Sequence, residues 1–440
     1  MNQQKQNGNI IAIITMFFLF AMISFVTNLA APFGTIWKNQ YAGANTLGMM
    51  GNMMNFLAYL FMGIPSGNML VKIGYKKTAL IAMAVGFIGL FIQYISSLFG
   101  ADIDVFNLGE YAIKMNFIIY LLGAFVCGFC VCMLNTVVNP MLNLLGGGGN
   151  KGNQLIQVAG SVNSIGATIV PVLVGYLMGD AARATISDAA PALFLAMGIF
   201  ALAFIVLISM NIPEPSLERQ QKNTGAPDKY SAFSFRHFIL GTIAIFIYVG
   251  VEVGIPNFMN LFATSDELGI DPTTAGSLVG TYWFLMMVGR LCGASLGARF
   301  SSKSMLTLAS AVGLVFILIA IFAPITTKVS MPVFLASLSF GMVEVPIGIM
   351  FLALCGLCTS IMWGGIFNLA VEGLGKYTEA ASGFFMVMVC GGGILPLIQG
   401  VVADMAGFQV SYFVILFGLA YLLYYALVGS KNVNKDIPVE

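Results

Sequence analysis

The sequence predicts an all-α integral membrane protein of twelve transmembrane helices, laid out as two parallel six-helix repeats. Three observations carry this expectation. The composition is one that water cannot solvate, the apolar runs are each long enough to cross a bilayer, and the second half of the chain repeats the register of the first.

Hydrophobic residues make up 59% of the 440 and charged residues 8%, whereas a soluble domain carries roughly a quarter charged. Fifty glycines fit the same reading, because glycine is commoner in membrane helices, where it lets backbones approach closely. The formal net charge of +1 argues neither for nucleic acid nor for an acidic partner. All seven cysteines fall inside apolar runs. Cys127/Cys130 and Cys355/Cys358 have the C-x-x-C spacing of metal or redox sites. No histidine or charge accompanies them, so small apolar residues packed between helices are the simpler reading.

A span needs about 20 mostly apolar residues. In order, the candidates are 10–36, 47–70, 78–99, 115–141, 154–178, 191–212, 237–262, 273–298, 304–325, 345–371, 380–402 and 409–429. Backbone groups in lipid must satisfy one another, so these are helices rather than open sheet. The polar stretch Met1–Asn9 is short, and the run from Ile10 to Ile36 is too long for a signal-peptide core, so it reads as an uncleaved first span. An inside N-terminus places Lys5, Lys72, Lys76, Lys77, Lys151, Arg219, Lys222, Lys229, Arg236, Arg299, Lys303, Lys376, Lys431 and Lys435 in the cytoplasm. Outside remain Lys38, Lys114, Arg183 and Lys328, with Arg290 within a span. Fourteen against four predicts cytoplasmic N- and C-termini in a cell inner membrane. The one long polar stretch is expected as a cytoplasmic linker over 213–236, between six-helix bundles at 1–212 and 237–440. Longer outer loops fall at 101–114 and 326–344.

The two halves can be aligned directly, and the stretch from Asn143 to Gly175 runs without a gap. At an offset of 225, Asn143 meets Asn368, Gly148 meets Gly373, Lys151 meets Lys376, Gly166 meets Gly391, Pro171 meets Pro396 and Gly175 meets Gly400. At an offset of 226, Gly63-x-x-x-Gly67 meets Gly289-x-x-x-Gly293. A parallel six-plus-six repeat is the layout of the major facilitator fold, whose solute site lies near the bilayer midplane.

Several stretches resemble the fucose permease-like branch of the major facilitator superfamily, the sugar transporters of fucose:proton symporter and glucose-galactose type. Gly67-Asn-Met-Leu-Val-Lys-Ile-Gly-Tyr-Lys-Lys77 is similar to the superfamily's signature between helices two and three, with Val71 where an acid is usual. Asn135-Thr-Val-Val-Asn-Pro140 resembles the helix-four motif Glu-Thr-Ala-Ala-Asn-Pro, and Asn163-Ser-Ile-Gly166 the helix-five Asn-Ser-Leu-Gly. Tyr248-Val-Gly-Val-Glu-Val253 and Tyr282-Trp-Phe-Leu-Met-Met-Val-Gly-Arg290 look like helix-seven and helix-eight motifs. Ser360-Ile-Met-Trp-Gly-Gly-Ile-Phe367 and Glu372-Gly-Leu-Gly-Lys-Tyr-Thr-Glu379 resemble the end of helix ten and its loop. The resemblance implies a carrier of neutral sugars, commonly coupled to protons through acids on helices one and four. Asn28 and Asn135 stand at those positions, and the helix-five Gln of the family falls on Gly160, with Gln157 one turn away.

A charge at mid-membrane costs about 2.5–3.5 kcal/mol on insertion scales, and the first half places none in any span. It offers amides, which both donate and accept and so suit sugar hydroxyls. The candidate solute-binding residues are Asn28, Asn135, Asn139, Gln157, Asn163 and Asn257, with Tyr282, Trp283 and Trp363 as aromatic walls. The competing reading of each amide is a bond between helices, and of each indole ordinary packing. Glu252 and Arg290 are the ion-coupling candidates, either as a plain buried pair or as a proton or cation site. Glu344 is expected near the outer end of the tenth span. Gly146–Gly149 and Gly373-Leu-Gly375 lack a preceding strand and the Gly-Lys-Ser/Thr pattern of a phosphate loop. With one histidine and no clustered acids, no catalytic, cofactor or metal site is expected. The partners foreseen are a neutral sugar, a proton or sodium ion if transport is coupled, and the lipid bilayer. An efflux carrier for a small hydrophobic solute and a non-transporting sugar sensor are the alternatives.

Overall fold

The computed structural model describes residues 2–41, 45–178, 184–210, 212–214, 230–297, 299–335 and 339–439. The expected linker lies outside these, apart from 213–214 and 230–236. The first half holds α1 (Asn2–Gln40), α2 (Asn45–Leu98), α3 (Met115–Leu145), α4 (Gly149–Met178) and α5 (Ala190–Ser209). The second holds α6 (Arg236–Thr264), α7 (Pro272–Leu296), α8 (Ser302–Phe322), α9 (Ile347–Thr359), α10 (Met362–Val371), α11 (Thr378–Val387), α12 (Gly391–Ala406) and α13 (Phe408–Tyr424).

Among the described residues, nine helices are long and apolar enough to cross a membrane. Counting α2 as two arms and adding α4 and α7, the run gives the twelve crossings that the hydropathy predicts. The arms of α2 meet at Gly74, whose φ of 85° lies in the left-handed region where glycine alone is unstrained. The expected spans 345–371 and 380–402 are each interrupted. The tenth breaks at Ser360–Ile361, between α9 and α10, and the eleventh passes through a 3₁₀ turn, Met388–Cys390, between α11 and α12.

Both loops expected on the outer side fold into antiparallel hairpins. The first pairs β1 (Asp104–Leu108) with β2 (Tyr111–Lys114) and carries a Lys114–Asp104 ion pair at 2.6 Å. The second pairs β3 (Lys328–Phe334) with β4 (Phe340–Pro346). Glu344 is therefore an exposed strand residue and not part of the tenth span. The strand runs to Pro346, which lacks the N–H a helix interior would need, and the helix starts at Ile347.

Contacts group the residues into two units. The first comprises Met1–Met141, Ile165–Ala226 and Ser382–Val387, and the second Leu142–Ser164, Pro227–Ala381 and Met388–Glu440. In the first, α2 packs against α1 and α5. Its Gly63-x-x-x-Gly67 pair receives the backbone of Gly383: a Cβ on Gly383 would stand 2.6 Å from Gly67 Cα. This is the small-residue contact that membrane helices use in place of a hydrophobic driving force. In the second, α6 packs on α12, α7 on α9, and α8 on α9 and α13. Gly356 and Gly391 let α9 and α12 rest on the backbone carbonyls of Tyr282 and Phe246. The C-terminal residues turn back over this unit. Asn434 Oδ1 accepts the N–H of Arg236, the first residue of α6, at 3.0 Å, and Val439 O accepts that of Lys376 at 3.0 Å.

Four cysteines of the two C-x-x-C pairs are buried free thiols. Cys127 Sγ accepts the amide of Gln93 at 3.4 Å, and Cys130 lies where a Cβ on Gly86 would meet it. They pack helices, as their apolar surroundings predict.

Candidate functional site

Prolines inside α3 and α6 set up the polar groups. A proline lacks its N–H and so frees the carbonyl four residues earlier. In lipid that carbonyl needs another donor. Pro140 frees Thr136 O, which accepts Ser382 Oγ at 3.3 Å. Pro256 frees Glu252 O, which accepts Tyr282 Oη at 3.2 Å. Tyr282 is fully buried, and its hydroxyl also lies 2.9 Å from Thr359 Oγ1. The phenol thus holds α6, α7 and α9 together.

The candidate residues fall into two groups, one in each unit. In the first unit, Asn135 and Asn139 share a face of α3, as their spacing of four dictates. Asn135 Nδ2 donates to Tyr59 Oη at 2.9 Å and to Val131 O at 3.2 Å, and Asn139 Nδ2 to Asn135 O at 2.8 Å. Both are buried. Asn28 is half-buried and donates to its own helix, to Ser24 O at 2.8 Å and Ser24 Oγ at 3.2 Å.

The second unit gathers the remainder around Arg290. Arg290 Nη2 meets Glu252 Oε1 at 3.2 Å, with 9% and 14% of the two side chains exposed. The same guanidinium donates to Gly160 O at 3.0 Å, Ser164 Oγ at 2.8 Å and Ser360 O at 3.3 Å. One planar fork with five donors therefore ties α4, α6 and the α9–α10 break together, which a lysine could not do. Gly160 makes this possible: a Cβ there would stand 3.4 Å from Arg290 Cδ, so any longer side chain would occupy the arginine's place. Gln157 Nε2 donates to Ile361 O at 2.8 Å, at the same break. The interrupted backbone of the tenth span is thus held by Arg290 on one carbonyl and Gln157 on the next. Irregular backbone at membrane depth occurs where protein buries it or a cavity adjoins it.

Trp363, directly after the break, stands edge-on to Tyr248 at 6.3 Å, and Trp283 edge-on to Tyr282 at 5.2 Å. Both indoles are partly exposed, as are Asn163 on α4 and Asn257 on α6. Nearby, Asn143 Nδ2 donates to Asn368 Oδ1 at 2.7 Å, and Asn368 Nδ2 to Ser302 Oγ at 2.9 Å. These two asparagines are the pair that the 225-residue offset equates. Gly148 and Gly373, equated by the same offset, share a φ of 72°.

Sequence reasoning passes over Ser164, Ser360 and Tyr59. Ser164 could have been found, since it lies seven residues beyond Gln157 and four beyond Gly160 on one helix face. Tyr59 has no such signal, and Ser360 opens the helix-ten motif but is held by its backbone carbonyl, to which its side chain gives no clue.

The first group is uncharged, and the second carries one self-compensated pair. Each presents amides and hydroxyls, and the second also aromatic edges, groups that bind neutral polar solutes by paired donors and acceptors.

Comparison with known proteins gives a consistent result. The model of the Major Facilitator Superfamily matches residues 13–395. A glucose/galactose transporter of Brucella abortus biovar 1 (strain 9-941) is 29% identical over 438 residues, covering 98% of this chain and 96% of that protein. The L-fucose-proton symporter of Escherichia coli (strain K12) is 23% identical over 425 residues, covering 89% and 86%. Among solved structures, the major facilitator transporter FucP in its outward conformation superposes with a TM-score of 0.77 at 20% identity, over 97% of this chain and 100% of that one.

Proposed function

Because the chain belongs to the Major Facilitator Superfamily, we propose that it is a secondary transporter that moves a neutral sugar, a monosaccharide or derivative, by alternating access. The observation that carries this reading is the charge balance of the polar groups. Glu252 and Arg290 neutralise each other at 3.2 Å, and the other partners of the guanidinium are the uncharged carbonyls of Gly160 and Ser360 and the Ser164 hydroxyl. An anionic solute would want an uncompensated arginine or lysine, and an apolar one would want fewer amides. The glucose/galactose and fucose relatives, similar over most of their length, support a sugar.

In this reading Asn135, Asn139, Gln157, Asn163 and Asn257 take sugar hydroxyls, and Trp283 and Trp363 lie against the C–H face of the ring. Asn28 is the remaining amide of this reading, half-buried and bonded to Ser24. Tyr282 acts indirectly by fixing Glu252. Glu252 is the coupling residue: a proton on its carboxyl removes half of the ion pair and frees Arg290 Nη2 for the solute. The proton-symporting fucose relative supports a proton as the coupled ion; sodium is the alternative that the same assay tests. The excess of lysine and arginine in loops assigned to the inside supports a cytoplasmic membrane with both termini inside.

Uptake of a panel of labelled sugars into proteoliposomes, under separate proton and sodium gradients, tests the reading. Accumulation of at least one hexose with one gradient is expected. Saturable uptake of an apolar dye with no sugar transported would refute it.

A further inference from the structure

Asn153 is 1% exposed, and neither its Nδ2 nor its Oδ1 has a hydrogen-bond partner. An amide left dry on both atoms costs stability that a valine or leucine of similar bulk would not. Its position explains what it serves. Asn153, Gln157, Gly160 and Ser164 follow one another on α4 at steps of four, three and four, so they form one stripe. The three later members are all committed: Gln157 to Ile361 O, and Gly160 O and Ser164 to Arg290. Asn153 is the rung nearest the start of α4, about 6 Å along the helix from Gly149.

Opposite it lies Gly364 on α10. A Cβ on Gly364 would stand 2.9 Å from Asn153 Oδ1 and 2.9 Å from Gln157 Nε2. The missing side chain is what lets α10 close over both amides and keep water from Asn153. The contact also sits three residues beyond the break in the tenth span, the least regular part of α9–α10.

We propose that Asn153 is a solute-hydroxyl ligand on the inner part of the transport path, sealed here by Gly364 and uncovered when α4 and α10 part. Both amide atoms then take hydroxyls of the leaving sugar, while Gln157, released from Ile361 O, supplies a second amide one turn farther from the inner face. The amide is unpaired in the closed arrangement because its partners belong to another step of the cycle. This inference rests on the sugar-carrier reading.

The test compares the two faces of the membrane. KM is measured for the transported sugar in right-side-out and inside-out vesicles, for wild type, Asn153→Leu and Asn153→Ser. Loss of a pair of hydrogen bonds corresponds to about tenfold in affinity. Asn153→Leu should therefore raise the ratio of inner-face to outer-face KM about tenfold, and Asn153→Ser, which keeps one hydroxyl, should raise it less. If Asn153→Leu does not fold, the serine variant alone carries the comparison. A purely packing or water-binding role would move both KM values together and leave the ratio at its wild-type value in either variant, which overturns the proposal. A wild-type protein that carries no sugar from either face overturns the carrier reading itself.

Discussion

Arg290 reaches four acceptors, and only one of them is a charge. Its removal therefore strands Glu252 and also takes one donor each from Gly160 O, Ser164 and Ser360 O. Breaking a buried ion pair from one side costs about 3–5 kcal/mol, so Arg290→Ala should lower the thermal midpoint of the purified protein far more than Glu252→Gln, which keeps an acceptor facing the guanidinium. Glu252→Gln should instead show its effect in transport. Gradient-driven accumulation should disappear while sugar counterflow persists, and uptake retaining full ion dependence would rule out Glu252 as the coupling residue. At this scale the sequence was informative where polar residues are scarce. Two opposite charges in otherwise apolar spans had few other partners, and Asn135 and Asn139 declared a shared face by spacing. The commitment of Tyr282 was hidden, since it depends on which carbonyl Pro256 frees and on the angle at which α7 crosses α6. Asn28 bonds to its own preceding turn, a choice that a helical pattern does not reveal.

Elements are held apart or together here by single backbone contacts. Gly356 lies against Tyr282 O and Gly276 against nothing within 4 Å. Gly356→Ala must push α9 off α7 and should cost about 1–3 kcal/mol. Gly276→Ala should be neutral or stabilising by up to about 1 kcal/mol, and thermal unfolding in detergent separates the two. Glu214 closes the other end of an element. Its carboxylate accepts the N–H groups of Tyr75 and Lys76 at 2.6 and 2.8 Å, capping the second arm of α2 just after Gly74. Burial lifts this carboxyl above its usual 4.5, outweighing the pull of the two N–H groups and of Lys77 and Lys76. A raised carboxyl keeps its proton in the folded chain over a window where the unfolded chain has lost it, so stability falls as pH rises through that window. The midpoint should decline slightly upward from about pH 4.5 and then level off, and Glu214→Gln should flatten that decline. An identical slope in the variant would exclude Glu214 as its source. The helices themselves were readable from apolar length, whereas the two hairpins were not. The strand residues of β1 are all exposed, so no inward-facing side marks that strand. Strands β3 and β4 alternate in burial but carry apolar residues such as Phe340 and Met342 at exposed positions too, which blurs the pattern.

For the molecule as a whole, the repeat was its most readable property. The offset found by matching letters returns in the structure as an Asn143–Asn368 hydrogen bond and as two hairpins placed after the third crossing of each half. Orientation rests on counting cations and can be measured directly. In a background where the exposed Cys292 is replaced by serine, Lys38→Cys should react with a membrane-impermeant maleimide in intact cells. Lys435→Cys should react only after permeabilisation, and the opposite pattern would invert the assigned topology. The returning C-terminal residues bring time into this picture. Arg236 and the Asn434 that caps it are 198 residues apart. At synthesis rates of about 5–20 residues per second, the first turn of α6 waits roughly 10–40 s for its cap. A chain stopped just before Asn434 would carry α1–α13 and still leave the first N–H of α6 without this acceptor.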